Sequence, residues 1–258
     1  MNATPDSFSD GGRFAAEEAA VAHGLQLVAD GADLVDVGGE ATNPRAQPVD
    51  AAEELRRAIP VVRRLAAAGV RVSIDTTKAA VAEAAIAAGA SIINDISGGL
   101  FDPAMHDVVT KSSVTYIAGH LRGRSIAEVF SAEAGRPPPD TLSWQAVAHE
   151  LSTRIGHLPA DRVWVDPGLG FGKGGDPETN LALIRHAGDL GRALGRPVVV
   201  GASRKRFLRR LLTGDPSELA LDAASVAACL AAARAGAHVS RTHNVALLRP
   251  ALTVYTRM

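Results

Sequence analysis

Several function classes are excluded by what this chain lacks. Its 258 residues include one cysteine, which rules out an internal disulfide and any cysteine-based zinc cluster. That residue, Cys229, lies in "ASVAACLAAA", where a small buried apolar side chain is expected rather than a nucleophile. Charge of one sign is lacking too. Lys and Arg number 27 against 28 Asp and Glu, a net charge of -1, so no basic field recruits nucleic acid or acidic membranes. No apolar run reaches the ~18 residues of a membrane helix. The N-terminus has neither the basic flank nor the apolar stretch of a signal peptide. A cytoplasmic protein is expected.

What is present is an alternation. Short apolar runs end in polar or glycine residues: "ADLVDVGGE" (32–40), "VRVSIDTTK" (70–78), "ASIINDISGG" (90–99) and "SVTYIAGH" (113–120). Three more follow, "DRVWVDPGLGFGK" (161–173), "RPVVVGASRK" (196–205) and "AHVSRTHN" (237–244). Between them lie Ala/Leu/Arg/Glu segments at helical spacing, such as "AAEELRRAIPVVRRLAAAG". Near-continuous apolar strands alternating with helices predict a parallel sheet buried on both faces. Because polar groups close every strand, a (β/α)8 TIM barrel in one domain, 1–258, is preferred over an open doubly wound sheet. The stretch "EAGRPPPDTLSW" (133–144) is expected to be an irregular surface excursion, since its proline run resists helix.

The barrel expectation bears on how the chain opens. "MNATPDSFSDGG" is loop chemistry, rich in Gly, Asp, Asn and Ser. Seven strands are visible and a barrel needs eight. The first strand is therefore expected directly before this loop, with Met1 at its end.

Asn2, Thr42, Asp75, Asn94, Asp166, Lys205, Arg241 and His243 collect at the strand ends. A charged group closing an apolar strand is costly unless it is paired, hydrogen-bonded or functional. One such residue reads as a cap or an ion pair. Eight on one face read as a site. Asp75, Asn94 and Asp166, with Lys205 as donor, suit a flat heterocycle bearing both N–H groups and ring acceptors. Asn2, Thr42, Ser203, Arg204, Arg241 and His243 form a donor-rich, cationic set suited to a phosphate or pyrophosphate. "GLGFGKGG" (168–175) is not a nucleotide loop, because Lys173 is followed by glycine and position 167 is proline. It reads as a tight turn after a strand.

Taken together, "NATPDSFSDGG", "DVGGEATNP", "SIDTTK", "IINDISGG", "DPGLGFGK", "GASRKRFL" and "RTH" resemble the dihydropteroate synthases of folate biosynthesis, in order and over almost the whole chain. The resemblance implies a barrel transferase. It would join 6-hydroxymethyl-7,8-dihydropterin pyrophosphate to p-aminobenzoate, releasing pyrophosphate and 7,8-dihydropteroate. By the same resemblance Asp75, Asn94, Asp166 and Lys205 hold the pterin, while Asn2, Thr42, Arg241 and His243 hold the pyrophosphate. Mg²⁺ lies near Asn2, and Phe8, Thr42, Pro44, Arg204 and Lys205 form the p-aminobenzoate pocket. Being a sulfonamide target and forming a homodimer are family properties carried over in the same way.

The chain departs from the family pattern at three places. Asn43 stands where an arginine is usual, with Arg45 two residues on as its candidate replacement. Gly119 removes a side chain expected against the pterin, and Asn244 takes the place of an aspartate after the histidine. Two alternatives stand beside the synthase. One is a pterin-dependent methyltransferase, which has no need of "TPDSFSDGG" or "SRK". The other is a truncated or diverged paralogue that binds pterin without turnover.

Overall fold

The computed structural model describes residue 1 and residues 10–41, 48–135, 142–173 and 177–258; of 10–15 and 131–135 the backbone alone is described. The chain forms two compact units, Met1–Ile117 and Ala118–Met258.

In the first unit α1 (Asp10–Ala29), β1 (Val35–Gly38), α2 (Ala51–Ala67), β2 (Val72–Asp75), α3 (Ala79–Ala87), β3 (Ile92–Asp95) and α4 (Ala104–Lys111) alternate, and β4 (Thr115–Gly119) begins. β1 pairs with β2, and β2 with β3, in parallel. These strands form because Val35, Val37, Val72, Ile74, Ile92 and Ile93 have no polar atom to satisfy and lose essentially all exposure. Helix α2 starts where Asp50 accepts the Glu53 N–H at 2.8 Å. It then buries Ala58, Val61, Val62 and Leu65 along one stripe. The register sets Gly38 opposite Asp75 and Asp75 opposite Asn94. Met1, expected at a strand's end, lies against β1. Its amine donates to the Asp36 carbonyl at 2.5 Å, and its own carbonyl accepts the Gly38 N–H at 3.0 Å.

The second unit holds the end of β4, then α5 (Ile126–Gly135), α6 (Trp144–Ile155), β5 (Val163–Asp166), α7 (Pro177–Arg185) and α8 (Ala187–Leu194). It continues with β6 (Val199–Val200), α9 (Arg206–Leu211), α10 (Glu218–Arg234), β7 (Val239–Ser240) and α11 (Val245–Tyr255). β6 and β7 pair in parallel, and Val165 bridges to Val198. The His120 N–H donates to the Asp166 carbonyl at 2.9 Å, bringing the loop after β4 beside the end of β5.

Among the described residues the seven strands fall inside the seven runs picked out in the sequence. One expectation is corrected: residues 133–135 complete helix α5 instead of opening an irregular segment. Ala and Glu sustain the helix there, and the prolines that forbid it begin only at Pro137. Cys229 is fully buried on α10, and burial pushes its thiol up to about 11, as befits an apolar packing residue. No helix among the described residues is long and apolar enough to cross a membrane.

Candidate active site

In the first unit Asp75 closes β2 and Asn94 lies beside it on β3. The Asn94 amide donates to Asp36 Oδ2 at 3.0 Å, so a carboxylate on β1 orients the amide. Asp36 was not singled out in the sequence: it lies inside β1, in register with Ser73, and not at the strand end where Asp75 stands. The neighbouring Asp95 is fully buried and serves the backbone. It accepts from Ser97, the Gly99 N–H and the Tyr116 hydroxyl, while burial pushes its carboxyl up.

In the second unit Asp166 closes β5 and accepts the Gly168 N–H at 2.7 Å. Burial pushes its carboxyl above the ordinary range, opposed by that hydrogen bond and by the charges of Lys205, Arg241 and Lys173. The chain then turns through Gly168, Gly170 and Gly172, all at positive φ. Glycine is required at 168, where a Cβ would stand 1.8 Å from the His120 carbonyl oxygen. The expected tight turn is there. Lys205 passes over it, with its ammonium 3.9 Å from the centre of the Phe171 ring.

The loops after β6 and β7 supply the donor-rich set. Arg241 follows β7 directly, its N–H bound to the Val200 carbonyl at 2.9 Å. A Cβ added to Gly201 would lie 3.8 Å from both the Arg241 side chain and Asp166 Oδ2, so carboxylate and guanidinium stem converge on this glycine. His243 Nδ1 is 2.9 Å from Ser203 Oγ, which also accepts the His243 N–H at 3.2 Å. Burial, then the charge of Arg241, holds the imidazole down at about 4. His243 is therefore neutral at neutral pH, and the positive charge here comes from Arg241 and the neighbouring Lys205. Arg204 stands apart: its guanidinium is turned to α10, where Asp222 takes it in a bidentate pair at 2.7 and 2.9 Å and Glu218 at 2.9 Å. Asn2, Phe8, Thr42, Asn43, Pro44 and Arg45 lie outside the described residues.

A family model described as "Pterin binding enzyme" matches residues 1–243. The chain belongs to the pterin binding enzyme family. It is 44% identical to a Mycobacterium leprae dihydropteroate synthase, over 98% of this chain and 90% of that one. A Xanthomonas albilineans dihydropteroate synthase solved with 4-aminobenzoic acid matches with a TM-score of 0.86 at 42% identity, over 99% of this chain and 90% of the other. A Burkholderia cenocepacia dihydropteroate synthase complexed with 7,8-dihydropteroate matches with a TM-score of 0.85 at 37% identity, over 100% of this chain and 89% of the other. The fold class is therefore the α/β barrel expected from the alternation of strands and helices.

Within this pterin binding enzyme a buried polar chain escaped the sequence reading. Lys173 is almost wholly buried; its amine lies 2.9 Å from His120 Nδ1 and donates to the His120 and Phe171 carbonyls at 3.0 Å. Burial lowers the amine to about 7, with the Asp166 charge opposing, and burial lowers the His120 ring to about 3. The other ring nitrogen meets Glu150 at 3.1 Å, and Arg122 pairs with the same carboxylate. A neutral ring protonated at Nε2 satisfies every partner: it donates to Glu150 and accepts from Lys173. The lysine of "GFGK" was visible, but as a failed nucleotide motif, and nothing in one sequence pairs position 173 with position 120.

Proposed function

We propose that this chain condenses 6-hydroxymethyl-7,8-dihydropterin pyrophosphate with p-aminobenzoate, giving 7,8-dihydropteroate and pyrophosphate. The observation that carries the reading is the convergence at the ends of β5, β6 and β7. There the half-buried Asp166 carboxylate stands among the charges of Lys205 and Arg241, with the Ser203–His243 pair on the adjoining loops. The names of the relatives and their bound 4-aminobenzoic acid and 7,8-dihydropteroate support the same chemistry.

The roles follow from charge and geometry. Asp166 accepts N–H groups of the pterin, and Lys205 donates to a ring acceptor; Asp75 and Asn94 carry the same recognition chemistry in the first unit. The arylamine nitrogen attacks the pterin methylene carbon, the C–O bond breaks, and its electron pair leaves with the pyrophosphate. The nitrogen then gives up a proton. Arg241 meets the charge that grows on the leaving group. His243, neutral and held at Nδ1 by the Ser203 hydroxyl, offers Nε2–H to a phosphate oxygen when serine is the donor. A free arylamine is already nucleophilic, so positioning and electrostatics suffice without a covalent intermediate.

The described donors around Arg241 are cations and a neutral imidazole, a set that fits phosphate oxygens and not a bare divalent cation. No group of three metal-ligating side chains occurs among the described residues. Mg²⁺ would arrive only as an ion carried by the pyrophosphate, with Asn2 as its ligand by resemblance. The roles of Phe8, Thr42 and Pro44, sulfonamide competition with p-aminobenzoate and a homodimer likewise rest on the resemblance; Arg45 is proposed in place of the family's arginine, and a cytoplasmic location is proposed beside them. The test is product formation from both substrates and Mg²⁺. Arg241→Ala and His243→Ala should lower kcat/KM while pterin binding survives. Full turnover in the Arg241 variant would remove the leaving-group role.

A further inference from the structure

Asp222 lies on α10, outside every segment that carries the family resemblance, and it is almost fully buried. Between Glu218 and Arg234, the two end residues of α10, every other side chain is Ala, Leu, Ser, Val or Cys; a buried carboxylate there needs partners, and it has them on two different loops. Arg204, in the loop after β6, donates Nε to Oδ1 at 2.7 Å and Nη2 to Oδ2 at 2.9 Å. Asn244, in the loop after β7, donates Nδ2 to Oδ2 at 2.9 Å, while its own Oδ1 caps α11 by accepting the Leu247 N–H at 3.1 Å. One turn further along α10, Ser225 Oγ accepts the Arg204 N–H at 2.9 Å.

These contacts form a closed circuit. Arg204 adjoins Ser203, Ser203 Oγ meets the His243 ring, His243 adjoins Asn244, and Asn244 returns to Asp222. Arg204 is also the only non-glycine among the described residues at positive φ, at 56°. A strained backbone of that kind persists only where its surroundings fix it, and Asp222 and Ser225 grip the residue at side chain and backbone. Its conformation sets the direction in which Ser203 and Lys205 leave the chain.

We infer that Asp222 is a positioning residue: it ties the Ser203–Lys205 loop to the Arg241–Asn244 loop and thereby holds the His243 imidazole against Ser203, ready to receive a phosphate oxygen. It touches no substrate and acts through Arg204 and Asn244. Burial and the Arg204 hydrogen bond have opposite effects on its carboxyl; the hydrogen bond is the larger, so the group stays ionised and the circuit intact at neutral pH. The role in binding rests on the function proposed above. The holding of His243 does not.

The experiment uses the full chain and four forms: wild type, Asp222→Asn, the swap Asp222→Asn/Asn244→Asp, and Ser217→Ala. The last removes the N-cap of α10 without touching the circuit. The first readout is the His243 titration by NMR without ligand. Asp222→Asn removes a negative charge, which acting alone would lower the imidazole pKa further. Release of the ring to water would raise it from about 4 toward 6.5. The expected result is a rise of about one unit or more, largely reversed in the swap and absent in Ser217→Ala. The second readout is calorimetric binding of inorganic pyrophosphate, expected to weaken at least tenfold in Asp222→Asn and to recover in the swap. An unchanged or lowered His243 titration in a folded Asp222→Asn chain would overturn the inference. A wild-type chain that ignores pyrophosphate would overturn the functional reading instead, and the titration would still judge the circuit.

Discussion

The amine of Lys173 lies 2.9 Å from Nδ1 of His120, both groups are buried, and the far side of the same ring is held by Glu150. The family motif "GFGK" thus closes on the loop after β4. Truncating Lys173 to Ala leaves two carbonyls and a ring nitrogen without their donor. Each orphaned buried group costs about 1–3 kcal/mol. A melting temperature lower by roughly 6 °C or more is expected for this variant, since 1 kcal/mol is about 2–4 °C in a domain of this size. An unshifted melt would mean that the amine does not sit where the structure places it.

Acid should destabilise the chain earlier than ordinary carboxylates would. In the unfolded chain both histidines take up a proton as pH falls through 6.5, whereas folded His120 holds out to about 3 and His243 to about 4. Folding excludes protons over that window. The contribution is present above 6.5 and is lost as pH falls toward the folded values, at up to about 1.4 kcal/mol per pH unit for each ring. Urea midpoints measured between pH 4.5 and 7 should fall with pH, and His120→Gln should flatten the slope whatever it does to the absolute value.

Two glycines at positive φ make a paired test of packing. Gly168 (φ 70°) has no room for a Cβ, whereas Gly69 (φ 79°) has nothing within 4 Å of one. Gly69→Ala should cost about 1 kcal/mol, the strain of its backbone alone. Gly168→Ala must also push the His120 loop away and should lower soluble yield or melting temperature far more. Equal losses would place the cost in φ and not in the contact.

Much of this was legible in the sequence. Most strands were marked by a Val/Ile run and by the polar residue that ends it; β2 and β3, buried along almost their whole length, leave no alternation to misread. Asp166, Lys205, Arg241 and His243 stood out as charges at apolar ends. What stayed hidden depends on contacts between distant positions. Asp222 and Lys173 look ordinary until Arg204, Asn244 and His120 come within hydrogen-bond distance. The neutrality of His243 could not be read at all, since burial and neighbouring cations set it. The helical end of α5 was missed because the proline run was given weight before the first proline arrives.

The proposed function assigns recognition of the pterin ring to Asp166 and Lys205. Asp166→Ala and Lys205→Ala should each weaken binding of the pterin substrate roughly 10- to 150-fold, the range for losing a hydrogen bond to a charged group. Calorimetric titration checks this, and tight binding in either variant would dismiss that residue from the ring contacts.

The most direct measurement is product formation by this 258-residue chain from dihydropterin pyrophosphate, p-aminobenzoate and Mg²⁺. The account predicts 7,8-dihydropteroate and pyrophosphate in equal amounts, with the rate falling in Arg241→Ala. A folded chain that binds the pterin substrate yet forms no dihydropteroate would contradict it.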